Sequence, residues 1–334
     1  EACVEARPLS AFAEEALPTA GRTRPRECGS RASDLAEWFL HQNGFAEVTD
    51  RDECGWSPLC YAALNGDPLL IQGLLGMRGD LDDRITKAEP RLHLEEGGSL
   101  LHICALYENN EALKLLIAEK AQVNIQDKVG TSPLTRAAVG DNVEGIRILL
   151  EGNCDLNLRG MLGNTALEPA CAWGSANAAK FLIEAGLPVT GNSNGLGAIF
   201  FCVLFEGTPD VARCLVEATA ACVNAVAQPP MTHRMAKLFT HKGSQYPQSV
   251  DKISRLGYHI FGASPLMVCI LMGRLDIADI LLHAKADLTL RNSRGRTAIE
   301  LAVEASLPAA FVRRLAADAE GAWDKARMPS ITSL

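Results

Sequence analysis

The sequence predicts an all-α protein in which pairs of short helices stack one after another into a solenoid. Three observations support this prediction. A four-residue motif recurs at intervals close to 33 residues. Apolar residues make up 48% of the 334 residues and aromatic residues only 5%, so we expect a core of Leu, Ala, Ile and Val, which favours helices. Each recurring unit is too short to bury its own apolar face, so the units have to stack.

The recurring motif marks the start of seven units. It occupies Ser57–Cys60, Ser99–His102, Ser132–Thr135, Thr165–Glu168, Gly197–Phe200, Ser264–Met267 and Thr297–Glu300. Its first residues are 42, 33, 33, 32, 67 and 33 positions apart, and a repeat of this length is typical of stacked-repeat folds. Ser or Thr followed by Pro is typical of a helix N-cap and the first helical residue, so each motif predicts the beginning of a helix.

The rest of each unit completes a helix pair. Two small residues follow the motif, as in Ala137-Ala138, and would allow two helices to approach closely. A glycine or polar turn then ends the first helix, and the second helix ends in an apolar pair such as Leu149-Leu150. A polar loop, such as residues 155–157, leads to the next unit.

This combination resembles the ankyrin repeat family, whose repeats join a T-P-L-H-x-A-A motif, a turn, an L-L pair and a G-A-D-V-N-like loop. The resemblance extends over about residues 34–315. It implies helix-turn-helix repeats with hairpin-like loops and a concave face formed by the first helices. Only the motif at Ser99 keeps the histidine, as His102, and Gly197 replaces the capping hydroxyl of its motif.

The predicted organisation has three parts. Residues 1–33 are expected to be disordered, residues 34–318 to form the solenoid, and residues 319–334 to form a tail. Within the solenoid we expect a truncated N-terminal cap at 34–53, an insertion at 225–261, and repeats near 55–97, 98–129, 130–162, 163–194, 195–224, 262–294 and 295–318. The insertion is predicted to be irregular, with a short helix near Met231–His241. A degenerate repeat is the alternative, although Pro247 would interrupt its second helix.

No motif of an enzyme, metal site or cofactor site is found. The phosphate-binding loop, the H-E-x-x-H and G-x-S-x-G motifs and the calcium loop are all missing, so we expect no catalysis and no cofactor. The 11 cysteines form no C-x-x-C pair, which indicates reduced thiols in a cytoplasmic or nuclear protein. Four of them fall at small-pair positions and are expected to pack in the core: Cys104, Cys171, Cys202 and Cys269.

Large apolar residues occupy a position that the resemblance places on the concave face. That position is usually small or polar, but here it holds Tyr107, Trp173, Phe205 and Met272, and Phe201 would join Phe205 on the same helical face. A row of exposed aromatic residues predicts a partner groove. There are two alternatives: the row lies under the insertion at 225–261, or the repeat register is shifted by one residue and the row belongs to the core.

The insertion is basic, although the chain has a net charge of −8. Its cationic residues, opposed only by Asp251, are Arg234, Lys237, Lys242, Lys252 and Arg255. Such a segment is suited to an acidic peptide, a phosphate or RNA, or it is simply a solvated loop attracted to the protein's own acidic surface. The net charge makes nucleic acid an improbable partner for the whole chain, and the longest apolar run, residues 196–205, is too short to span a membrane.

The sequence therefore predicts a non-catalytic scaffold or adaptor that binds a protein partner through the concave face of the repeats. One alternative is a regulatory ankyrin domain belonging to a larger enzyme or channel. The other is binding of an anionic ligand or nucleic acid through the basic insertion.

Overall fold

The computed structural model describes residues 32–190, 195–205, 207–228, 234–246 and 251–319. Within these ranges the chain forms 17 α-helices and no β-strand, which confirms the all-α prediction. The predicted disordered segment at 1–33 and the tail at 319–334 lie outside the described residues, except for residues 32, 33 and 319. The chain divides into two compact units, Glu1–Met161 and Leu162–Leu334, which are described separately below.

The first unit contains two rows of helices. Its helices are α1 (Ala32–Asn43), α2 (Pro58–Asn65), α3 (Pro68–Gly76), α4 (Leu100–Leu106), α5 (Asn110–Ala118), α6 (Pro133–Val139) and α7 (Val143–Glu151). The first helices of the repeats, α2, α4 and α6, pack side by side. The second helices, α3, α5 and α7, form the other row, and α1 packs against α3 at its end.

The second unit repeats this arrangement around an interruption. Its helices are α8 (Leu167–Trp173), α9 (Ala176–Glu184), α10 (Ala198–Leu204), α11 (Pro209–Ala218), α12 (Arg234–Gly243), α13 (Lys252–His259), α14 (Pro265–Met272), α15 (Leu275–His283), α16 (Ala298–Glu304) and α17 (Ala309–Ala319). The first-helix row is α8, α10, α14 and α16, and α9, α11 and α15 form the second row. Helix α10 packs directly on α14 although the insertion separates them in sequence.

The insertion forms a helical hairpin outside both rows. Helix α12 overlaps the helix predicted near Met231–His241, whereas α13 is a second helix that the sequence analysis does not predict. The two helices cross at small residues: a Cβ added to Gly257 would lie 2.5 Å from the carbonyl oxygen of Phe239. Helix α13 also packs on α14, so the hairpin is attached to the first-helix row.

The recurring motif caps the first helices in two ways. The hydroxyl of the first residue accepts a hydrogen bond from the backbone N–H three residues later at Ser57, Ser132 and Ser264. In the other three motifs with a Ser or Thr, the side chain of the fourth residue accepts the backbone N–H of the first. These bonds run to His102 Nδ1 from Ser99 at 3.1 Å, to Glu168 from Thr165 at 2.8 Å and to Glu300 from Thr297 at 2.8 Å. A histidine and a glutamate are therefore equivalent here because both are capping acceptors.

Side-chain hydrogen bonds join each repeat of the first unit to the one before it. Asn109, the N-cap of α5, donates through Nδ2 to the carbonyl oxygens of Ala63 at 2.8 Å and Leu64 at 2.9 Å. Asn142, the N-cap of α7, donates to the Ala105 carbonyl at 3.0 Å. In the second unit the same position holds Ser175, Thr208 and, at α15, Arg274. These bonds supply side-chain donors to carbonyl groups near the ends of the short first helices.

The loops between repeats are linked in the same manner. Arg51 donates to the Arg84 carbonyl at 2.8 Å, Arg84 to the Gln126 carbonyl at 3.3 Å, and Gln126 to the Arg159 carbonyl at 2.9 Å. Each side chain thus bonds the backbone of the next loop. The register of the first unit is therefore fixed at its loops as well as in its helical core.

The cysteines at small-pair positions are buried thiols. Cys104, Cys171, Cys202 and Cys269 are all 0% exposed, because the first helices approach closely at these residues. Burial raises the pKa of the Cys202 thiol to about 12 and raises the pKa values of the other three well above the usual range. Cys54, by contrast, is exposed.

Replacing Leu149 by Ala should lower the free energy of unfolding by about 2–5 kcal/mol, because Leu149 is 0% exposed and its loss leaves a cavity. Val129→Ala in the same unit is the control, since Val129 is 42% exposed. Urea unfolding followed by circular dichroism measures both. Equal effects of the two substitutions would contradict the assignment of Leu149 to the core.

The stability should also fall on acidification in a manner that depends on His102. Burial lowers the pKa of His102 to about 4, and its Nε2 bonds the Thr131 carbonyl at 2.8 Å, so the folded protein holds a neutral imidazole. The unfolded chain binds this proton at about pH 6.5. The free energy of unfolding should therefore decrease by about 3 kcal/mol as the pH falls from about 6.5 to about 4.

This contribution should be missing in His102→Gln, in which a neutral acceptor replaces the imidazole. Urea unfolding of the two proteins at several pH values between 7.5 and 4.5 measures the difference between their pH slopes. Parallel slopes would show that His102 does not resist protonation in the folded state.

The four buried thiols should react with a maleimide at least ~100-fold more slowly than Cys54 in the native protein, and at similar rates in denaturant. Mass spectrometry of peptides after timed labelling separates the sites. Fast native labelling of Cys104, Cys171, Cys202 and Cys269 would show that the first helices do not pack at these residues.

Candidate interaction surfaces

Two exposed aromatic residues mark one edge of the second unit. Trp173 is the last residue of α8, and Phe205 directly follows α10, the neighbouring helix of the same row. Trp173 is 44% exposed and Phe205 is 48% exposed. Met272 ends the next helix, α14, and is half-buried. Three of the five residues predicted for the partner groove therefore lie at the same end of adjacent helices.

Arg274 fixes the backbone beneath this edge. Its guanidinium donates to the carbonyl oxygens of Phe205 at 3.1 Å and Gly207 at 2.6 Å, and it is paired with Asp276 at 3.2 Å. Arg274 is the N-cap residue of α15, so it takes the role that Asn109 and Asn142 have in the first unit. The ring of Phe201 packs against that of Phe205, with 5.8 Å between centroids. The backbone of Phe205 is therefore held by Arg274, and its exposed ring is packed against Phe201.

The prediction that Tyr107 is an exposed partner contact is wrong. Tyr107 is 6% exposed, and its hydroxyl donates to the Leu92 carbonyl at 2.9 Å. Leu92 ends a short 3-10 turn, Pro90–Leu92, in the extra residues of the first repeat. The adjoining carbonyl of His93 accepts a hydrogen bond from Arg136 at 2.6 Å. This short insertion covers Tyr107, and burial accordingly raises the pKa of its hydroxyl.

Phe201 is also not a surface residue, contrary to the prediction. It is 6% exposed because α10 has a neighbour on each side, α8 and α14, which leaves little open surface on its flanks. Its contribution to the edge is the contact of its ring with Phe205.

The basic residues of the insertion are distributed over both helices of the hairpin. Arg234 lies on α12, and its side chain is outside the described atoms. Lys237 and Lys252 are exposed and Lys242 is half-buried. Lys252 Nζ lies 3.5 Å from the Met272 carbonyl, so the beginning of α13 reaches the aromatic edge. Arg255 differs from the lysines because its Nε is buried and has no hydrogen-bond partner among the described residues.

A polar cavity that the sequence analysis misses lies at the other end of α13. Its volume is about 420 Å³, and it is lined by Tyr246, Tyr258, His259, Ser293, Arg294, Arg296 and Glu304. The sequence contains two signals of it. Glu304 stands where the equivalent first-helix residues of the other repeats are apolar, for example Leu106 and Leu271, and three arginines lie within the six residues 291–296. The sequence does not indicate that the insertion and the loop between α15 and α16 meet at this glutamate.

Glu304 attaches the insertion to α16. Its Oε1 accepts a hydrogen bond from the Tyr246 hydroxyl at 2.6 Å and lies 3.0 Å from His259 Nε2. Partial burial raises the pKa of Glu304, but these two hydrogen bonds outweigh it and lower the pKa below the ordinary value. Burial lowers the pKa of His259. At neutral pH a neutral histidine thus donates to an ionised glutamate.

No metal or membrane site is found in the described part of the chain. No group of three or more His, Cys, Asp or Glu residues there is arranged to hold a metal ion. No described helix has the length and apolar character needed to cross a bilayer.

Comparison with known proteins identifies the repeats. The family described as ankyrin repeats in three copies matches residues 74–160 and 101–193, and the single ankyrin repeat matches residues 261–293. A search of curated protein sequences gave no match. Ankyrin repeats are generally protein–protein interaction modules.

Solved structures with a similar fold are also ankyrin repeat domains. The domain of Bcl-3, described as a member of the IkappaB protein family, is 18% identical, with 79% of this chain and 100% of that chain covered and a TM-score of 0.54. The human ASB11 domain is 18% identical, with 74% and 92% covered and a TM-score of 0.51. The chain therefore contains ankyrin repeats at residues 74–193 and 261–293, and its fold is that of ankyrin repeat domains.

Proposed function

We propose that this protein is a non-catalytic scaffold or adaptor that binds a protein partner through the edge formed by Trp173, Phe205 and Met272. The observation that carries the proposal is the exposure of two large aromatic side chains, 44% for Trp173 and 48% for Phe205, on adjacent first helices. Aromatic residues contribute most of the binding energy in many interfaces, and a contiguous exposed apolar surface is typical of a binding site.

The surroundings of the edge indicate the character of the partner. Arg274 holds the loop after α10 by two carbonyl contacts, so little ordering is needed when a partner binds. Lys252 is exposed and reaches the Met272 carbonyl, which places a positive charge beside the apolar residues. A segment with apolar anchors followed by an acidic residue would complement this surface.

We place this function in a reducing compartment, the cytoplasm or the nucleus. Seven of the nine described cysteines are buried free thiols, and the other two are Cys54 and Cys214. A scaffold role and a role as the regulatory domain of a larger enzyme or channel would use the same edge.

The double substitution Trp173→Ala, Phe205→Ala should weaken partner binding by at least about tenfold while the protein remains folded. Peptides selected from a random display library on the wild-type protein serve as the probe, and their dissociation constants are measured by fluorescence anisotropy. The matched control is Val129→Ala, Met161→Ala, which removes two apolar side chains that are 42% and 51% exposed in the first unit. Thermal unfolding verifies that all three proteins are folded.

Selected peptides that lose affinity for the aromatic variant, but not for the control, would support the edge as the binding site. Failure of the wild type to select any peptide, or equal binding by the aromatic variant, would contradict the proposal.

A further inference from the structure

The polar cavity beside Glu304 carries two arginine side chains, of which Arg296 interacts with Glu304 electrostatically. Arg294 and Arg296 lie on the loop between α15 and α16, and both are exposed at the rim of the cavity. Among the described residues, neither forms an ion pair with a carboxylate. Glu304 is instead engaged by Tyr246 and His259. Since His259 is neutral, the cavity has one negative and two positive charges on its walls.

A third cationic group lies next to these walls. Arg255 on α13 is beside the hydroxyl of Tyr246, and the two groups interact electrostatically. The Nε of Arg255 is buried and has no hydrogen-bond partner in the described part of the chain. Arg255 does not itself line the cavity, so it adds positive potential near the walls without contacting a bound group.

The loop that carries the arginines is rigid. Asn292 is 4% exposed, and its N–H donates to the Arg296 carbonyl at 3.0 Å while its Oδ1 accepts from the Arg296 N–H at 2.9 Å. Its Nδ2 donates to the His259 carbonyl at 3.1 Å. Arg294 Nε donates to the Tyr258 carbonyl at 2.8 Å, and its guanidinium lies 3.4 Å from the centroid of the Tyr258 ring. Arg294 therefore has a fixed orientation before any ligand arrives, which lowers the entropic cost of binding.

We propose that this cavity binds the anionic group, a phosphate or a carboxylate, of a side chain on a protein partner, with Arg294 and Arg296 as its main ligands. Arginine forms paired, charge-assisted hydrogen bonds to both groups. The volume of about 420 Å³ suits one side chain. The site is distinct from the aromatic edge because the edge adjoins Lys252 and the cavity adjoins His259, about 10 Å apart along α13.

The aromatic residues of the cavity favour a peptide over RNA as the ligand. Single-stranded nucleic acid is held by bases that stack on open aromatic rings. Here the ring of Tyr258 is covered by Arg294, and it packs against the ring of Tyr246 at 5.1 Å and that of His259 at 4.9 Å. The net charge of −8 on the chain would also repel a polyanion more strongly than a single anionic side chain.

The test uses the full chain and pools of labelled degenerate peptides of equal length with phosphoserine, phosphotyrosine, glutamate or alanine at the centre. Fluorescence anisotropy should show that the wild type binds at least one anionic pool about tenfold more tightly than the alanine pool. Arg294→Gln, Arg296→Gln should remove that preference. The control Lys237→Gln, Lys242→Gln removes the same charge from the insertion and should keep the affinity within about twofold.

The pools also distinguish the two anions, since preference for a phosphorylated pool assigns a phosphate and preference for the glutamate pool assigns a carboxylate. The variant Trp173→Ala, Phe205→Ala should retain the preference, which separates this site from the aromatic edge. Wild-type protein that prefers no anionic pool, an equal loss in the arginine and lysine variants, or tighter binding of a single-stranded RNA than of every peptide pool would overturn the proposal. Thermal unfolding confirms that each variant is folded.

Discussion

Close contact between the first helices of successive repeats is the constraint on which the rest of the structure depends. The small pairs at this contact, such as Ala62-Ala63 and Ala137-Ala138, are 0% exposed. At this separation, Asn109 and Asn142 can reach the carbonyl groups at the ends of the preceding first helices. A larger residue in the pair would separate the helices and also break these bonds. Packing and hydrogen bonding thus favour the same short distance between neighbouring first helices. A cysteine is tolerated in the small pair because it behaves as a small apolar residue.

Because each repeat contacts only its neighbours, the chain can leave the stack and return without disturbing it. Helix α10 packs on α14 although a helical hairpin is inserted between them. Each of the two insertions is attached to the first-helix row of its own unit by polar contacts. In the first unit the Leu92 and His93 carbonyls accept from Tyr107 and Arg136, and in the second Tyr246 and His259 bond Glu304. The surface left open for a partner is therefore set by the insertions as much as by the repeats.

The repeat pattern predicts the fold because it follows from local rules that a sequence displays directly. N-caps, small pairs and apolar pairs recur in phase, and the helices begin where Ser57, Ser132 and Ser264 predict. The surface is less predictable because it depends on segments outside the period. Tyr107 occupies the same repeat position as Trp173, yet one is 6% and the other 44% exposed, since only the first is covered by Leu92. The position of a residue in the repeat specifies which way its side chain points, but not whether another segment covers that side chain.

The same distinction applies to charge. Counting residues identifies the insertion as basic, but two of its lysines, Lys237 and Lys252, are exposed, and the interactions of exposed charges with an anion are screened by water and salt. Arg294 lies outside the insertion, in a short basic run with Arg291 and Arg296, and the Tyr258 carbonyl and ring hold its guanidinium in place. Preorganised charge binds an anion more strongly than an equal number of mobile charges, because the ordering has already occurred during folding. The anion site is therefore expected where the loop between α15 and α16 meets the insertion, and not at the exposed lysines of the insertion.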